Sequence, residues 1–377
     1  MMKIAPGQID VLVRVLSDKG YTTIAPTVRE GAIVYDEVHA ASDLPVGFGD
    51  EQSSSSYRLS QSESREMFGF AVGPQSFKKF LFPPRWKILS AIRNDGSIEF
   101  DSGSTPSGES AEKFAFIGIR PCELQALRIQ DKVFLGGAYQ DIQYKQRREK
   151  IFVVAVQCGK PASTCFCASL NSGPRAESGF DLALTEVIDG DGHYFVVEIG
   201  SDSGRSVMEG LDCREASEAE VEKAHRVTET AARAMKRNVD TEGLKELLYA
   251  NADHPEWEAV AKRCLTCANC TMVCPTCFCT TVEDTTDLAG ANAERWRVWD
   301  SCFTAEFSYI HGGSIRATPR ARYRQWLTHK FASWVDQFGT FGCVGCGRCI
   351  TWCPAGIDPT EELRILRGTA QAVSTKE

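Results

Sequence analysis

No stretch of this sequence is long and apolar enough to cross a bilayer. The run Val11-Leu12-Val13-Arg14-Val15-Leu16 near the N-terminus is short and carries an arginine, which argues against a signal peptide and a membrane span. A basic excess is missing too. Forty-two Lys and Arg face 50 Asp and Glu, for a net charge of −8 and a pI near 5.5. Nucleic acid and anionic membranes both reward a basic face, so neither is expected as the main partner. The sequence also lacks a G-x-G-x-x-G after a strand, a Walker P-loop, an H-E-x-x-H and a G-x-S-x-G. It carries no sign of binding a nucleotide, and no catalytic residue is assigned. The 377 residues suffice for two domains, and a hydrophobic fraction of 43% supports packed cores.

Cysteine is what the chain has in excess, with sixteen. Eight fall in two runs, Cys264-Leu-Thr-Cys267-Ala-Asn-Cys270-Thr-Met-Val-Cys274-Pro275 and Cys343-Val-Gly-Cys346-Gly-Arg-Cys349-Ile-Thr-Trp-Cys353-Pro354. Each reads C-x2-C-x2-C-x3-C-P, the bacterial ferredoxin spacing that ligates 4Fe–4S clusters. A cubane has four iron corners, each wanting one thiolate. Three closely spaced cysteines wrap three corners, and the fourth, followed by proline, turns away to the neighbouring cluster. One cluster is therefore assigned to Cys264, Cys267, Cys270 and Cys353, the other to Cys343, Cys346, Cys349 and Cys274. Zinc is the rival, but zinc sites usually pair C-x2-4-C units across a long gap. Disulfides conflict with cluster ligands that must stay reduced, so a reducing, cytoplasmic setting is expected.

Along the chain, residues 8–19 put Ile9, Leu12, Val13 and Leu16 on one helical face, with Gly20 as a stop. Ala32–Val38 reads as a strand, and residues 51–56 as a polar loop. Segments 88–92 and 97–100 flank Asn94-Asp95-Gly96, a hairpin signal, and residues 101–110 read as a surface loop. Phe114-Ala-Phe-Ile-Gly-Ile119 and Ile151-Phe-Val-Val-Ala-Val156 are buried strands separated by a helix over 123–130. Together they predict a parallel βαβ unit, with Cys122 and Cys158 at the carboxyl ends of adjacent strands, where open α/β sheets place their sites. Residues 194–199 add a strand. From about Ser217 the texture is helical, which places a domain boundary near residues 205–217. Sixty-eight residues separate Cys274 from Cys343, and this segment is expected to be mainly helical. Its basic stretch, Arg316 to Lys330, reads as a solvated face or a docking patch for an acidic partner.

Cys122, Cys158, Cys165 and Cys167 make a second constellation. Buried thiols would cover one or two of them. Four at strand ends and in one adjoining loop suit a metal better, either a third cluster or a four-thiolate zinc site. Cys277, Cys279 and Cys302 form a looser group that could donate S–H bonds to the adjacent cluster, hold a further metal, or simply pack. Cys213 reads as structural or incidental.

Arg120-Pro-Cys122, Cys165-Phe-Cys167, Cys274-Pro-Thr-Cys-Phe-Cys279, Trp299-Asp-Ser-Cys302 and Cys343-Val-Gly-Cys-Gly-Arg-Cys349 occur together, in this order, in one group of proteins. From about residue 20 to 358 the chain resembles that group: the iron–sulfur beta subunits of cytoplasmic nickel–iron hydrogenases of the sulfhydrogenase type, together with the corresponding iron–sulfur subunits of anaerobic sulfite reductases. Residues 80–84 and 179–185 look closer to the hydrogenase branch. The resemblance implies an electron relay from a flavin- and NAD(P)-binding subunit to the hydrogenase small and large subunits or back, with a sirohaem sulfite reductase subunit as the alternative partner. The rival of another class is an interaction protein stabilised by zinc. The expected architecture is α+β: a mixed α/β domain over 1–210 with a third iron–sulfur site, then a helical domain over 211–377 carrying a two-cluster ferredoxin module.

Overall fold

The structure, a computed structural model, describes residues 1–61, 63–94, 96–101, 112–190 and 192–374. Asp95 of the hairpin signal and residues 102–110 of the expected surface loop lie outside the described residues. The fold is mixed α and β, as the hydrophobic patterning predicts.

An eight-stranded sheet organises the N-terminal part. In spatial order its strands are Cys213–Glu215, Met2–Ile4, Gly192–Ile199, Leu182–Asp189, Phe152–Val156, Phe114–Ile119, Thr22–Arg29 and Ala32–Glu37. Phe114–Ile119 pairs in parallel with Phe152–Val156 across the helix Pro121–Leu135, which is the βαβ unit expected. Successive residues in a strand point to opposite faces, and two cores result. Phe114, Phe116, Val153 and Ala155 join one, while Ala115, Ile117, Phe152, Val154 and Val156 join the other. At Gly118 the register shifts. Its φ is +88°, and a Cβ there would stand 2.9 Å from Pro26, so only glycine fits. The extra residue returns Ile119 to the first core and aims Arg120-Pro121-Cys122 at the strand end.

A four-stranded antiparallel sheet follows the order Thr280–Thr286, Asn292–Trp299, Arg85–Asn94, Ser97–Asp101. It joins segments on either side of residue 210, so the two parts of the chain are interleaved through shared strands. It also changes the reading of the segment between the cysteine runs. Only the later part, with helices Pro319–Thr328 and Trp334–Phe338, is helical; the earlier part is a hairpin. The β-branched Thr280-Thr-Val-Glu-Asp-Thr-Thr286 suits a strand, and pairing with residues 85–92 supplies the long-range partner. Helices Glu218–Ala234, Leu244–Ala250 and Glu256–Arg263 lead into the first run. A third core of Trp257, Tyr323, Trp326, Phe331, Ile350 and Leu366 packs against the half-buried Cys264, Cys270, Cys343, Cys349 and Cys353.

Candidate metal centre

The two cysteine runs adopt the same backbone path. Each second and fourth residue after the first cysteine has positive φ: Thr266 at 51° and Ala268 at 67°, Gly345 at 61° and Gly347 at 77°. These turns curl the chain so that amides face sulfur. The Thr266 amide donates to Cys264 Sγ and the Gly345 amide to Cys343 Sγ, both at 3.4 Å, as does the Ile357 amide to Cys353 Sγ. The third cysteine of each run sits in a one-turn helix, Asn269–Met272 or Arg348–Thr351.

Two cavities result. Cys264, Cys267, Cys270 and Cys353 line one, with Phe303, Tyr323 and Trp326. Cys274, Cys343, Cys346 and Cys349 line the other, with Phe166, Phe331 and Lys330. The fourth cysteine of each run thus lies with the other run's first three, the crossed set that the spacing predicts. Cys349 and Trp326 touch both cavities, so the two sites abut. Among the described residues no three Cys, His, Asp or Glu side chains converge as ligands of a single ion. Thiols that surround a cavity, each at its own corner, form the donor set a 4Fe–4S cluster takes.

The thiols are held neutral by their surroundings. Burial, then the neighbouring Cys264 and Cys353, raises the pKa of Cys270, and burial pushes Cys343 up to about 12. Cys274 is the exception, lowered by a hydrogen bond from Cys277 and by the charge of Lys330. Lys330 is 3% exposed. Its Nζ lies 3.4 Å from Cys274 Sγ and donates to Thr276 Oγ1 and the Gly342 carbonyl. Burial opposes its charge, but Cys274 and Cys277 outweigh it, and its pKa is raised. A buried ammonium whose partners are a sulfur, a hydroxyl and a carbonyl asks for an anion, which thiolate ligation supplies. The expectation of a solvated basic stretch therefore fails at Lys330, which a π-helical turn, His329–Ser333, turns inward. Arg322 and Arg324 are also engaged, donating to the carbonyls of Phe303, Arg316, Ala317 and Ala252.

The second constellation also comes together, around Cys346. Cys122 opens the helix Pro121–Leu135, and Cys158 lies just beyond the strand Phe152–Val156. Cys165 and Cys167 follow in the loop. Burial first, then neighbouring cysteines, raises the thiols: Cys122 senses Cys167 and Cys346, and Cys167 senses Cys165, Cys158 and Cys346. The cis Gly173-Pro174 segment closes the group, since the Cys158 amide donates to the Pro174 carbonyl. A Cβ on Gly173 would stand 3.1 Å from Cys167 Sγ.

This loop rests on the second ferredoxin run. The Phe166 amide donates to the Gly345 carbonyl at 2.8 Å, Ser172 Oγ donates to the Val344 carbonyl, and Thr164 and Thr351 share a hydrogen bond. A Cβ on Gly345 would lie 2.6 Å from the Cys167 amide nitrogen, and one on Gly347 2.5 Å from the Thr164 carbonyl oxygen. The first run has no such neighbour, with Cys267 exposed, so Thr266 and Ala268 occupy the equivalent turns. A buried ion pair completes the joint. Arg348 Nη2 donates to Glu123 Oε1 at 2.6 Å with both side chains 0% exposed. Tyr35 donates to Glu123 Oε2, and Arg348 Nε donates to the Gly73 carbonyl.

The looser group divides. Cys277 hydrogen-bonds Cys274, while Cys279 and Cys302 hydrogen-bond each other. Lys78, 3% exposed, donates to the Cys277 carbonyl and lies 3.8 Å over the Trp299 ring. Cys213 sits in an edge strand opposite Ile4. Sequence reasoning missed Lys78, Lys330, Arg348 and Glu123. The local clue for the lysines is a cation set among aromatic and apolar neighbours, as in Phe77-Lys78-Lys79-Phe80 and Lys330-Phe331-Ala332.

Residues 263–357 match the family model described as a 4Fe-4S dicluster domain. Over 325 residues the chain is 31% identical to Sulfhydrogenase 2 subunit beta of Pyrococcus furiosus, a match spanning 85% of this chain and 92% of that protein. No solved structure matches.

Proposed function

The chain belongs to the family of sulfhydrogenase beta subunits, and from this premise we propose how it works as an electron-transfer iron–sulfur subunit. It relays single electrons between two partners in a cytoplasmic nickel–iron hydrogenase: a flavin-containing subunit that handles NAD(P)H, and the hydrogenase small and large subunits. The observation that carries this reading is a continuous row of thiol groups. Cys264, Cys267, Cys270 and Cys353 hold one cluster, and Cys274, Cys343, Cys346 and Cys349 hold the next, sharing Cys349 and Trp326 as a wall. Cys122, Cys158, Cys165 and Cys167 hold a third, beside Cys346.

A 4Fe–4S cluster, when bound, stores one electron and passes it on. The chain's own residues do the rest. Thiolates fix position, the amides of Thr266, Gly345 and Ile357 stabilise negative charge on sulfur, and Lys330 and Arg348 add positive charge from inside. The aromatic walls exclude water from the middle site. The row has two accessible ends: the exposed Cys267, next to Leu265 at 65% exposure, and the half-buried Cys158. Beyond Cys158 lies an open cavity of about 550 Å³ lined by Gln157, Gly159, Lys160 and Glu186. Two ends suit a subunit that receives electrons from one partner and hands them to another.

Anaerobic purification with identification of every co-purifying chain tests the partners. A large nickel-binding chain and a flavoprotein agree with the proposal, whereas a sirohaem chain replaces it with sulfite reduction. Iron counting tests the third site. Three cubanes bring about twelve irons and two bring about eight. Replacing Cys165 and Cys167 together by serine should remove about four irons and leave the other clusters' EPR signals. A fully loaded chain that stops at about eight irons overturns the third site, and a colourless zinc protein overturns the whole relay.

A further inference from the structure

Cys279 and Cys302 remain outside the relay, and their placement is not incidental. Cys279 immediately precedes the strand Thr280–Thr286, and Cys302 lies three residues past Asn292–Trp299, at the open end of the same hairpin. The ladder sets their approach. Thr280 pairs with Trp299, and the Asp300 amide donates to the Cys279 carbonyl at 2.8 Å. Beyond this last rung the Cys302 thiol and its backbone amide both hydrogen-bond the Cys279 sulfur. The chain is anchored on either side as well. Trp299 Nε1 donates to the Phe82 carbonyl, Asp300 Oδ1 caps the Ser301 amide and the Thr304 hydroxyl, and Ser301 shares a hydrogen bond with Thr271 of the first cysteine run.

The pair lies between the two ferredoxin sites. Cys302 faces Cys270 of the first. Cys279 senses Lys330, whose ammonium touches Cys274 of the second. Both thiols are half-buried, so protons can reach them. The arrangement does not suit cluster ligation. Thiolates of one cubane are held apart by the separate irons they bind, whereas these two sulfurs face each other directly. The third member, Cys277, is directed at Cys274 instead.

We propose that Cys279 and Cys302 are a redox-active dithiol that exchanges an electron pair with the two flanking clusters, one electron to each. In the oxidising direction the two S–H bonds break and a Cys279 Sγ–Cys302 Sγ bond forms. Two protons leave to solvent, and one electron passes to each oxidised cluster. The reverse step takes one electron from each reduced cluster and two protons from solvent. The pair thus converts between one-electron and two-electron chemistry at the middle of the chain. The proposal rests on the assignment of clusters to the two ferredoxin sites.

The test uses the full-length chain, purified anaerobically with its clusters and poised over a series of potentials with mediators. Each sample is quenched with iodoacetamide and mapped by peptide mass spectrometry. Iron content and EPR are measured on the same samples. A Cys279–Cys302 bridge should form on oxidation, and the bridged-to-free ratio should change about tenfold for about every 30 mV, the slope of a two-electron couple. Cys279→Ser and Cys302→Ser should each abolish the bridge and keep the wild-type iron content. Clusters present with no bridge at any potential overturns the dithiol alone. Loss of about four irons in either variant also overturns it, because the residues would then be cluster ligands. Wild-type protein without ferredoxin-type clusters overturns the relay itself, and with it the electron route proposed for the pair.

Discussion

Removing the charge of Lys330 should make the middle cluster harder to reduce. Its Nζ lies 3.4 Å from Cys274 Sγ in a site where it is 3% exposed. An electron added to a cluster ligated by Cys274 would sit about 6 Å away, one thiolate beyond the contact. With an effective dielectric of about 20, Coulomb's law gives about 3 kcal/mol for that attraction. At about 2.3 kcal/mol per 100 mV, the reduction potential should fall by about 120 mV when the charge is lost. Lys330→Gln keeps a donor for Thr276 and the Gly342 carbonyl, and Lys330→Arg keeps the charge. The assay is an EPR-monitored redox titration of the anaerobic protein. The Gln variant should shift one cluster downward on the order of 100 mV, while the Arg variant and the cluster at Cys264 stay near wild type. If both clusters move together, or the Gln variant titrates as wild type, Cys274 does not ligate a cluster beside this ammonium.

Three further outcomes follow from the packing around the sites. Gly345→Ala combines a left-handed turn, costing about 1–2 kcal/mol, with a Cβ at 2.6 Å from backbone, costing about 1–3 kcal/mol. It should lower the denaturant midpoint and iron retention, whereas Ala268→Gly on the open first run should do neither. Glu123→Gln strands the buried Arg348 charge and should cost about 3–5 kcal/mol in denaturant unfolding. By contrast Arg14→Ala, which removes the exposed pair with Asp10, should cost under about 1 kcal/mol. Burial, helped by a hydrogen bond with Glu256 and opposed by Arg263, pushes Glu362 up to about 7 from its usual 4.5. A raised folded-state value means its stabilisation is complete below about pH 4.5 and lost as pH rises through about 7, with a slope of at most about 1.4 kcal/mol per pH unit. Glu362→Gln should flatten unfolding free energy across that window, and an unchanged slope would refute the assignment.

The cysteine spacing alone determined the local geometry of the two runs. Each run must curl within a dozen residues to present three thiols, so its ligand pattern is written in consecutive positions, crossed fourth cysteine included. The alternating and continuous apolar runs likewise determined the βαβ unit that carries Cys122 and Cys158, because side-chain period and strand burial are local properties. The nearness of the Cys165–Cys167 loop to the second run was not readable. It depends on Gly345 and Gly347 lacking a Cβ and on Phe166 bonding Gly345 across more than 170 residues. The hairpin at 280–299 was hidden for a similar reason, since its largely exposed strands carry a weak hydrophobic pattern and are secured by pairing with residues 85–92. Only the tertiary structure decided which of the basic residues near 316–348 are buried. Lys330 and Arg348 read as surface charges in sequence, and they are tolerated inside because a thiol, carbonyl groups and the Glu123 carboxylate converge on them from distant segments.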